Sequence, residues 1–423
     1  MLHMTGMTSP AVRDRRVHQK VQIGVDARLA ESTGTGVASY RHAVLGALAA
    51  IGRSTVDLRD ITVGRFGEPS SRLEALTRWL AASSSHPRKL LAQATDAGSD
   101  MLWRRDIFRL AHVHFRRHGT LLRLTPPQPV GVMHWTYPLP AIVDGWINLH
   151  TVHDAIPMRR PDLSPVDPAR LRACLTAIAA QTDGIVTVSD WARRTILESL
   201  AIRPDLVTNC GGGLAGLVGA GGRLPAGLKR GGYLLFCGLI EPRKNLARLA
   251  AAWTSATGTA GGYAMPLVVA GPDGAGCGAL RSELEAAGVV VLPYQDRPVL
   301  MDLIGQARAF VFPSLEEGFG LPVAEAMALG TPVLTADRGA LQEIAGGACL
   351  LVDPTDEQSI ADGIRRIVAD DALCATLTER GAVRARAFAP TAFGARLAVL
   401  YDRLIDARIA DGLWPYLETA DEI

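Results

Sequence analysis

The segment AFVFPSLEEGFGLPVAEAMALGTPVLTA, residues 309–336, decides the fold because it contains a strand, a loop, a helix and a second strand in close succession. AFVFPS and TPVLTA are short apolar runs. LPVAEAMALG has helical spacing, with Pro322 at its predicted start and Gly330 at its end. Strand, helix and strand in this order predict a crossover between two parallel strands.

The same alternation extends through the whole second half of the chain. The runs GYLLFCGLI, PLVVAGP and VVVLPY are each followed by a stretch with helical spacing. In the first half, the strand-like runs VQIGVDARL, WINLHTVHD and DGIVTVS alternate with helical stretches as well. The sequence therefore predicts an α/β protein with two doubly wound, Rossmann-like domains that face a central cleft.

A glycine-rich segment separates the two halves. Ten of the 24 residues from 209 to 232 are glycine, a composition typical of a flexible linker. The predicted segments are a disordered tail at 1–20, an N-terminal domain at 21–208, the linker at 209–232, a C-terminal domain at 233–385, and C-terminal helices at 386–423 that pack back on the N-terminal domain.

The bulk composition is that of a globular protein without a strong overall field. The chain has 423 residues, 48% of them hydrophobic, and a formal net charge of +2, which does not indicate a nucleic-acid partner. Its six cysteines form no CxxC pair, and no apolar run reaches the ~18 residues of a membrane span. We expect a cytoplasmic protein, or one that is peripheral at the inner face of a membrane.

One segment, 103–123, departs from the even charge distribution. It contains six arginines and three histidines against a single acid, Asp106, and apolar residues are interleaved with them. A basic amphipathic segment of this kind can lie on an anionic bilayer surface, whereas a solvated helix on a domain surface explains the same pattern.

The loop after the strand at 309–314 is a candidate ligand site. The amides of Phe319, Gly320 and Leu321 are expected at a helix N-terminus, where partial positive charge binds phosphate or sugar oxygens. Glu325 is predicted in the first helical turn, where its carboxylate can accept two hydroxyl donors such as those of a ribose. Glu317 is expected on the loop, facing the mouth of the cleft. A capped helix with surface acids is the alternative.

Other candidate residues also follow predicted strands. Arg243 and Lys244 precede a helix, and a guanidinium beside an ammonium suits a diphosphate, although a solvated basic pair is equally simple. Three further residues lie after strands and could line the same cleft: Gly36, His153 and Gly271. We expect no metal, because the chain contains no Asp-x-Asp and the histidines at 112–118 lie among arginines.

These residues resemble those of a known family. FCGLIEPRKNLARL, the two glutamates of EEGFGLPVAE, VDARLAESTGTGVASY and HTVHDAIPMRRPDLSP are similar to segments of the retaining glycosyltransferase group 1 family, which has the GT-B fold. The resemblance covers roughly 21–385. It departs at one position, since Leu239 follows Gly238 where many members have arginine, so that Arg243 and Lys244 carry the phosphate contacts.

The resemblance implies a role for each candidate. Glu325 would hold the ribose of a nucleotide-sugar, and Glu317 and His153 would contact the donor sugar. Arg243 and Lys244 would neutralise the departing diphosphate. Backbone contacts to the donor would come from the following residues: Gly36, Gly271, Phe319, Gly320 and Leu321. The N-terminal domain would then be the acceptor side.

The activity implied is transfer of a hexose, with mannose favoured, to a glycan or polyprenyl-diphosphate-linked oligosaccharide in bacterial surface-polysaccharide synthesis. The nucleotide-sugar, GDP-mannose before UDP-glucose, is a co-substrate, and no cofactor or metal is expected. Two alternatives stay open at this point: a GT-B epimerase or hydrolase acting on sugar nucleotides, and an inactive scaffold that only binds them.

Overall fold

A computed structural model describes residues 18, 21–28, 36–60, 86–94, 100–219, 221–222, 224–257, 265–274 and 277–414. Apart from His18, the predicted N-terminal tail lies outside the described residues, as do Gly34 and Thr35 of the first glycine turn.

The first half of the chain is built on a parallel sheet. Its strands are β1 (Ile23–Asp26), β2 (Thr55–Arg59), β4 (Leu91–Ala94), β5 (Asp100–Trp103), β7 (Val132–Trp135), β9 (Ile147–Thr151), β10 (Gly184–Thr187) and β11 (Val207–Asn209), and their spatial order is β11-β10-β9-β7-β1-β2-β5-β4. The pairing is parallel except for β4 with β5. A small parallel sheet contains β3 (Arg88–Lys89), β6 (Leu122–Thr125) and β8 (Ala141–Val143).

Helices cover this sheet. They are α1 (Gly36–Ala50), α2 (Ile107–His118), α3 (Ile156–Arg159), α4 (Pro168–Ala179) and α5 (Asp190–Ser199). Asp167 and Ser189 begin α4 and α5, where their side chains accept hydrogen bonds from the N–H groups of Arg170 and Ala192 and so satisfy donors that the helix itself cannot.

The second half has the strand order of a Rossmann fold. The strands are β12 (Leu234–Cys237), β13 (Leu267–Ala270), β14 (Val290–Leu292), β15 (Ala309–Phe312), β16 (Val333–Ala336) and β17 (Leu350–Val352), in the order β14-β13-β12-β15-β16-β17. The helices are α6 (Leu246–Thr257), α7 (Gly278–Ala286), α8 (Arg297–Gln306), α9 (Leu321–Ala328), α10 (Gly339–Ala345), α11 (Glu357–Ala369), α12 (Asp371–Ala385) and α13 (Pro390–Ala410). The order in which successive strands join the sheet therefore reverses between the parallel strands β12 and β15, which places a ligand crevice at their carboxyl ends.

The core of the C-terminal domain explains why its strands read as continuous apolar runs. Every residue of β12, β13, β15 and β16 is buried, because helices cover both faces of the sheet. Phe236 stacks on Phe312 with ring centroids 5.2 Å apart, and Phe310 stacks on Phe312 at 5.7 Å.

The last helix, α13, crosses back to the N-terminal domain. Phe393, Leu397 and Tyr401 are buried in the same cluster as residues of α1. Arg396 donates from Nε to the carbonyl of Cys210, 2.6 Å away, which ties α13 to the start of the glycine-rich segment. The chain thus connects the two domains twice, at residues 210–232 and again near residue 389.

The basic segment 103–123 does not present a free apolar face. Its central part is α2, whose residues Ile107, Phe108 and Leu110 are buried in a core cluster of the N-terminal domain. The core of the N-terminal domain therefore covers these apolar side chains. Arg116 and Arg117 in the last turn are exposed. Among the helices described here, none has the length and apolarity needed to cross a membrane.

Candidate active site

A tight turn after β12 fixes the two predicted cations. The chain passes through a short 3-10 turn, Pro242–Lys244, and ends it at Asn245, which has a left-handed φ of 61°. The side-chain amide nitrogen, Nδ2, of Asn245 donates to the carbonyls of Pro313 and Pro354 at 3.0 and 2.7 Å. Asparagine tolerates this conformation better than most residues, and its two bonds hold Arg243 and Lys244 at the crevice.

Glu317 binds both cations at once. Its Oε2 accepts from Nη1 of Arg243 at 2.6 Å, and its Oε1 accepts from Nζ of Lys244 at 2.7 Å. Only 9% of Glu317 is exposed. A buried carboxylate requires compensating charge, and the two cations supply it.

The charges in this cluster set its protonation. Burial alone would raise the pKa of Glu317, but the charges and hydrogen bonds of Arg243 and Lys244 outweigh burial and lower that pKa to about 2. Burial lowers the pKa of Lys244, and the charge of Glu317 opposes this effect.

Arg243 has further hydrogen-bond partners, whereas two N–H donors of the Lys244 ammonium remain for a ligand. Arg243 also donates to Oε1 of Glu241 at 2.6 Å and to the backbone carbonyl of Glu316 at 3.0 Å. Within the described part of the chain, Glu317 is the one hydrogen-bond acceptor of the Lys244 ammonium. An ammonium has three donors, so two remain for the oxygens of an anionic ligand.

The N-terminus of α9 presents backbone amides next to this cluster. Gly320 precedes the helix with a left-handed φ of 97°. Among the described residues, no carbonyl or carboxylate accepts a hydrogen bond from the amides of Phe319, Gly320 or Leu321. The Phe319 ring points elsewhere: it meets Phe388 edge-on at 5.5 Å and packs on Gly212.

Glu325 lies deeper in α9 than predicted. It is the fifth residue of the helix and not part of the first turn, because α9 begins at Leu321 and Pro322 is its second residue. Its Oε1 accepts from Nη2 of Arg297 at 2.6 Å, and the same nitrogen donates to the carbonyl of Ala215 at 2.6 Å. Burial raises the pKa of Glu325, and the charge of Arg297 partly offsets this effect.

His153 and Asp154 face the cluster from the N-terminal domain. They follow β9, and His153 donates from Nε2 to the carbonyl of Thr136 at 2.9 Å. Because a carbonyl can only accept, Nε2 carries the proton and Nδ1 is left as an acceptor while the ring is neutral. Burial lowers the pKa of His153 and raises that of Asp154, with the charge of Arg243 acting against the second effect.

The two predicted glycines have different surroundings. Gly36 is the first residue of α1, and no described atom lies within 4 Å of a Cβ built on it, so a ligand could approach its backbone. Gly271 is packed: a Cβ there would lie 2.0 Å from the carbonyl oxygen of Gly238. Close contact between two strand ends therefore accounts for glycine at position 271.

Sequence reasoning missed several residues around the site. Arg297, which binds Glu325, precedes its partner by 28 residues and belongs to no motif in the sequence. Ser189, Trp191 and Glu343 contact the loop or helix of the opposite domain and belong to no motif in the sequence. Within the residues that the structure describes, no group of three or more His, Cys, Asp or Glu could hold a metal ion.

Comparison with solved structures defines the class of fold. Sucrose-phosphate synthase from Thermosynechococcus elongatus superposes with a TM-score of 0.66 and 21% identity, covering 92% of this chain and 100% of that one. HepE from Anabaena, in complex with UDP and glucose, superposes with a TM-score of 0.60 and 13% identity, covering 92% and 100%. The protein has the GT-B fold, and the sequence-based expectation of two parallel α/β domains is confirmed.

The sequence comparisons match the second half of the chain to a family. Residues 227–384 match the model of the family described as glycosyl transferases group 1, in agreement with the resemblance seen in the sequence. O-antigen chain mannosyltransferase B from Escherichia coli is 32% identical over 255 residues, which are 56% of this chain and 65% of that protein. The match therefore spans slightly less than two thirds of the relative's length.

Proposed function

We propose that the protein is a retaining, metal-independent glycosyltransferase. It moves a hexose from a nucleotide-sugar to a glycan or a polyprenyl-diphosphate-linked oligosaccharide. The observation that carries the proposal is the position of Arg243, Lys244 and Glu317 at the point where the β12–β15 crevice opens, facing His153 of the other domain. Ligands of doubly wound sheets bind at this point.

The charge on the leaving group explains what the cations do. When the anomeric carbon–oxygen bond breaks, its electron pair goes to the diphosphate. Arg243 and the two remaining donors of Lys244 stabilise that charge most where it is largest, in the transition state. The amides of Phe319, Gly320 and Leu321 add partial positive charge at the N-terminus of α9.

Retention of configuration indicates which group takes the proton of the acceptor hydroxyl. The acceptor hydroxyl attacks from the face that the diphosphate leaves, so its oxygen bonds to the anomeric carbon while its proton passes to an oxygen of the departing phosphate. No protein base is required for this step. His153 contributes as a neutral hydrogen-bond acceptor through Nδ1 toward a donor-sugar hydroxyl, since burial lowers its pKa. The carboxylate of Glu325 would accept hydrogen bonds from the ribose hydroxyls, and these would replace its hydrogen bond from Arg297.

GDP-mannose is the favoured donor, followed by UDP-glucose. The relative from Escherichia coli is named a mannosyltransferase of the O-antigen chain, which supports mannose and a role in bacterial surface-polysaccharide synthesis. The Anabaena structure contains UDP and glucose, which supports the second donor. Such a pathway would place the protein in the cytoplasm, where the exposed end of α2 would contact the inner face of the membrane.

A thermal-shift screen tests the donor. GDP, UDP, ADP and their sugar conjugates would each be added at a hundredfold excess over an expected dissociation constant, where a specific ligand stabilises by ~2.7 kcal/mol. Donor turnover is then measured with and without acceptor and with excess chelator. Turnover independent of acceptor would indicate a hydrolase or epimerase, binding without turnover would indicate a scaffold, and a strict metal requirement would contradict the mechanism.

The structure also shows which variant tests the cation. Lys244→Gln removes the charge but keeps a donor for Glu317, so the buried carboxylate retains a hydrogen bond. We expect turnover to fall ~10²–10³-fold, the range measured when one transition-state contact is lost. The matched control is Lys229→Gln, which changes an exposed lysine and should leave turnover unchanged. Wild-type turnover in Lys244→Gln would refute the diphosphate assignment.

A further inference from the structure

The loop that contains Glu317 is bound on both sides by the opposite domain. Before it, Oε1 of Glu316 accepts a hydrogen bond from the indole Nε1 of Trp191 at 2.7 Å. After it, the carbonyl of Gly318 accepts from Oγ of Ser189 at 2.6 Å. Ser189 and Trp191 both lie at the start of α5 in the N-terminal domain.

The same loop contacts the cation pair from its other face. The backbone carbonyl of Glu316 accepts from Nη1 of Arg243 at 3.0 Å, and the same nitrogen donates to Glu317. Glu316 therefore joins a tryptophan of one domain to the guanidinium of the other through a single residue. A shift of Glu316 would move the acceptor that orients Arg243.

Trp191 is itself held in place by the C-terminal domain. The carboxylate of Glu343 in α10 accepts from the backbone N–H groups of Asp190 and Trp191, both at 2.9 Å. These are donors at the N-terminus of α5 that the helix cannot satisfy, and an anion is favourable there. The guanidinium groups of Arg159 and Arg194 lie 5.2 and 4.9 Å from the indole ring.

Two glycines show how closely the domains approach at this point. A Cβ on Gly318 would lie 2.3 Å from the carbonyl oxygen of His153, and a Cβ on Gly339 would lie 3.3 Å from the Trp191 indole. Gly339 also has a left-handed φ of 62°. The loop thus has little freedom to move unless the two domains separate.

We propose that Trp191 is a positioning residue for the cation pair: through Glu316 it makes the geometry that binds a nucleoside diphosphate depend on the docking of the two domains. This inference rests on the proposed function, because it assigns the cations to the diphosphate. Trp191 touches neither Arg243 nor Lys244 in the contacts described above, and it acts through the loop.

Comparison of diphosphate and monophosphate binding tests the proposal. Trp191→Phe removes the indole N–H and keeps an aromatic ring for the two arginines. We expect the affinity for GDP to fall about fivefold and the affinity for GMP to stay unchanged, since GMP lacks the second phosphate. Isothermal titration calorimetry with GDP and GMP gives the ratio of the two affinities. UDP and UMP serve as a second pair. A structural defect alone would weaken both members of a pair equally.

Matched variants complete the design. Trp253→Phe also removes one indole hydrogen bond, to the Met265 carbonyl at 2.9 Å, but lies away from the interface and should leave the GDP-to-GMP ratio unchanged. Glu316→Ala should lower the ratio as Trp191→Phe does, and the double variant should lower it no further, because the two side chains form one contact. Glu316→Gln retains an acceptor and should preserve the ratio.

The possible outcomes separate the two proposals. If neither nucleotide pair binds the wild-type protein, the proposed function fails, and the positioning role fails with it. If the wild-type protein prefers the diphosphate and both Trp191→Phe and Glu316→Ala keep that preference, the positioning role alone is refuted. Glu316→Ala decides the question if Trp191→Phe does not fold.

Discussion

Glu317 shows how a buried acid can stabilise a site that must later bind an anion. Its carboxylate contacts Arg243 and Lys244 at 2.6 and 2.7 Å and holds the two like charges side by side. Without it, two buried cations would repel each other, and removing one partner of a buried ion pair costs about 3–5 kcal/mol. The acid is therefore part of the fold as well as of the site.

The lowered pKa of Glu317 leads to a pH-dependent prediction. The ordinary pKa of this carboxyl is 4.5, and its value in the folded protein is about 2. Burial acts to raise the pKa, but Arg243 and Lys244 lower it by more than burial raises it. A group with a lowered folded pKa stabilises the fold above its unfolded pKa, and this contribution is lost as the pH falls from about 4.5 to about 2. We expect Glu317→Gln to reduce the free energy of unfolding by about 3 kcal/mol at pH 7, and the deficit to shrink below pH 4.

Urea unfolding of wild type and variant between pH 7 and pH 2.5 checks this expectation. Glu283→Gln is the matched control, since Glu283 is exposed and its loss should change stability by less than about 0.5 kcal/mol at any pH. A deficit of Glu317→Gln that stays constant down to pH 2.5 would contradict the lowered pKa.

Arg297 is expected to be as important for stability as the residues of the motif. It supplies the cation for Glu325, of which only 2% is exposed. Arg297→Ala should destabilise the protein by about 3 kcal/mol, because it leaves a buried acid without its partner. Adding Glu325→Gln should recover part of that loss. Urea unfolding of both single variants and the double variant measures the coupling, and strictly additive losses would show that the pair is not coupled.

The motif residues could be predicted from sequence because they are close together in the chain. Arg243 and Lys244 are adjacent, and Glu317 lies on the loop that follows β15. Because few residues separate these side chains from a strand, they must lie near the end of that strand. The partners of these residues could not be predicted, since Arg297 and Trp191 reach the site through packing between elements that are distant in sequence, and no local spacing records such contacts.

At the scale of elements, most strands of the C-terminal domain could be predicted from sequence because both of their faces are buried. Their apolar runs are continuous because helices cover both sides of the sheet. Two strands between residues 86 and 94 could not be predicted. β3 has only two residues, and β4 pairs antiparallel with β5 at the edge of the sheet. Neither contains the continuous apolar run that marks a strand buried on both faces.

The glycine-rich segment is not a free linker throughout, and this leads to a prediction about Gly212. A Cβ at this position would lie 2.8 Å from two atoms of the Phe319 ring. Gly212→Ala should therefore force the ring or the backbone to shift and destabilise the protein by about 1–3 kcal/mol. Because Phe319 directly precedes the N-cap residue of α9, turnover should fall as well. The measurements are urea unfolding and donor turnover.

Gly278→Ala provides the control for this substitution. Gly278 begins α7, and no described atom lies within 4 Å of a Cβ built there. The same change of residue should be neutral or should stabilise by about 0.4–1 kcal/mol, because alanine restricts the unfolded chain more than glycine does. Equal behaviour of the two variants would mean that Gly212 serves only as a flexible connection.

At the scale of the whole molecule, α13 returns from the C-terminal domain to the N-terminal domain. α13 leaves the C-terminal domain near residue 389 and covers α1, so the core of the N-terminal domain contains residues from the second half of the sequence. Tyr401 donates to or accepts from Nδ1 of His134 at 2.5 Å, and Arg408 binds Asp183 at 2.5 Å. Docking of the two domains is thus supported by α13 at one end and by the Trp191 contacts at the other.

Gly394 is a position where α13 lies very close to α1, and it allows this arrangement to be tested. A Cβ there would lie 2.4 Å from the carbonyl oxygen of Ala47, which is backbone and cannot rotate away. Gly394→Leu should therefore lift α13 from α1 and expose its apolar face. We expect a loss of stability of at least about 2 kcal/mol, together with faster hydrogen exchange at the amides of 390–410 and loss of transfer.

Val399→Ala separates this effect from a general weakening of α13, because Val399 lies on the same helix and is 72% exposed. It should leave stability, hydrogen exchange and transfer near wild-type values. If the proposed function is right, the ribose and first phosphate would contact the C-terminal domain, so GMP should still bind Gly394→Leu, whereas the preference for GDP should fall as expected for Trp191→Phe. If transfer persists in Gly394→Leu while its α13 amides exchange rapidly, docking of that helix is not needed for catalysis, and the Trp191 contacts alone must hold the domains together.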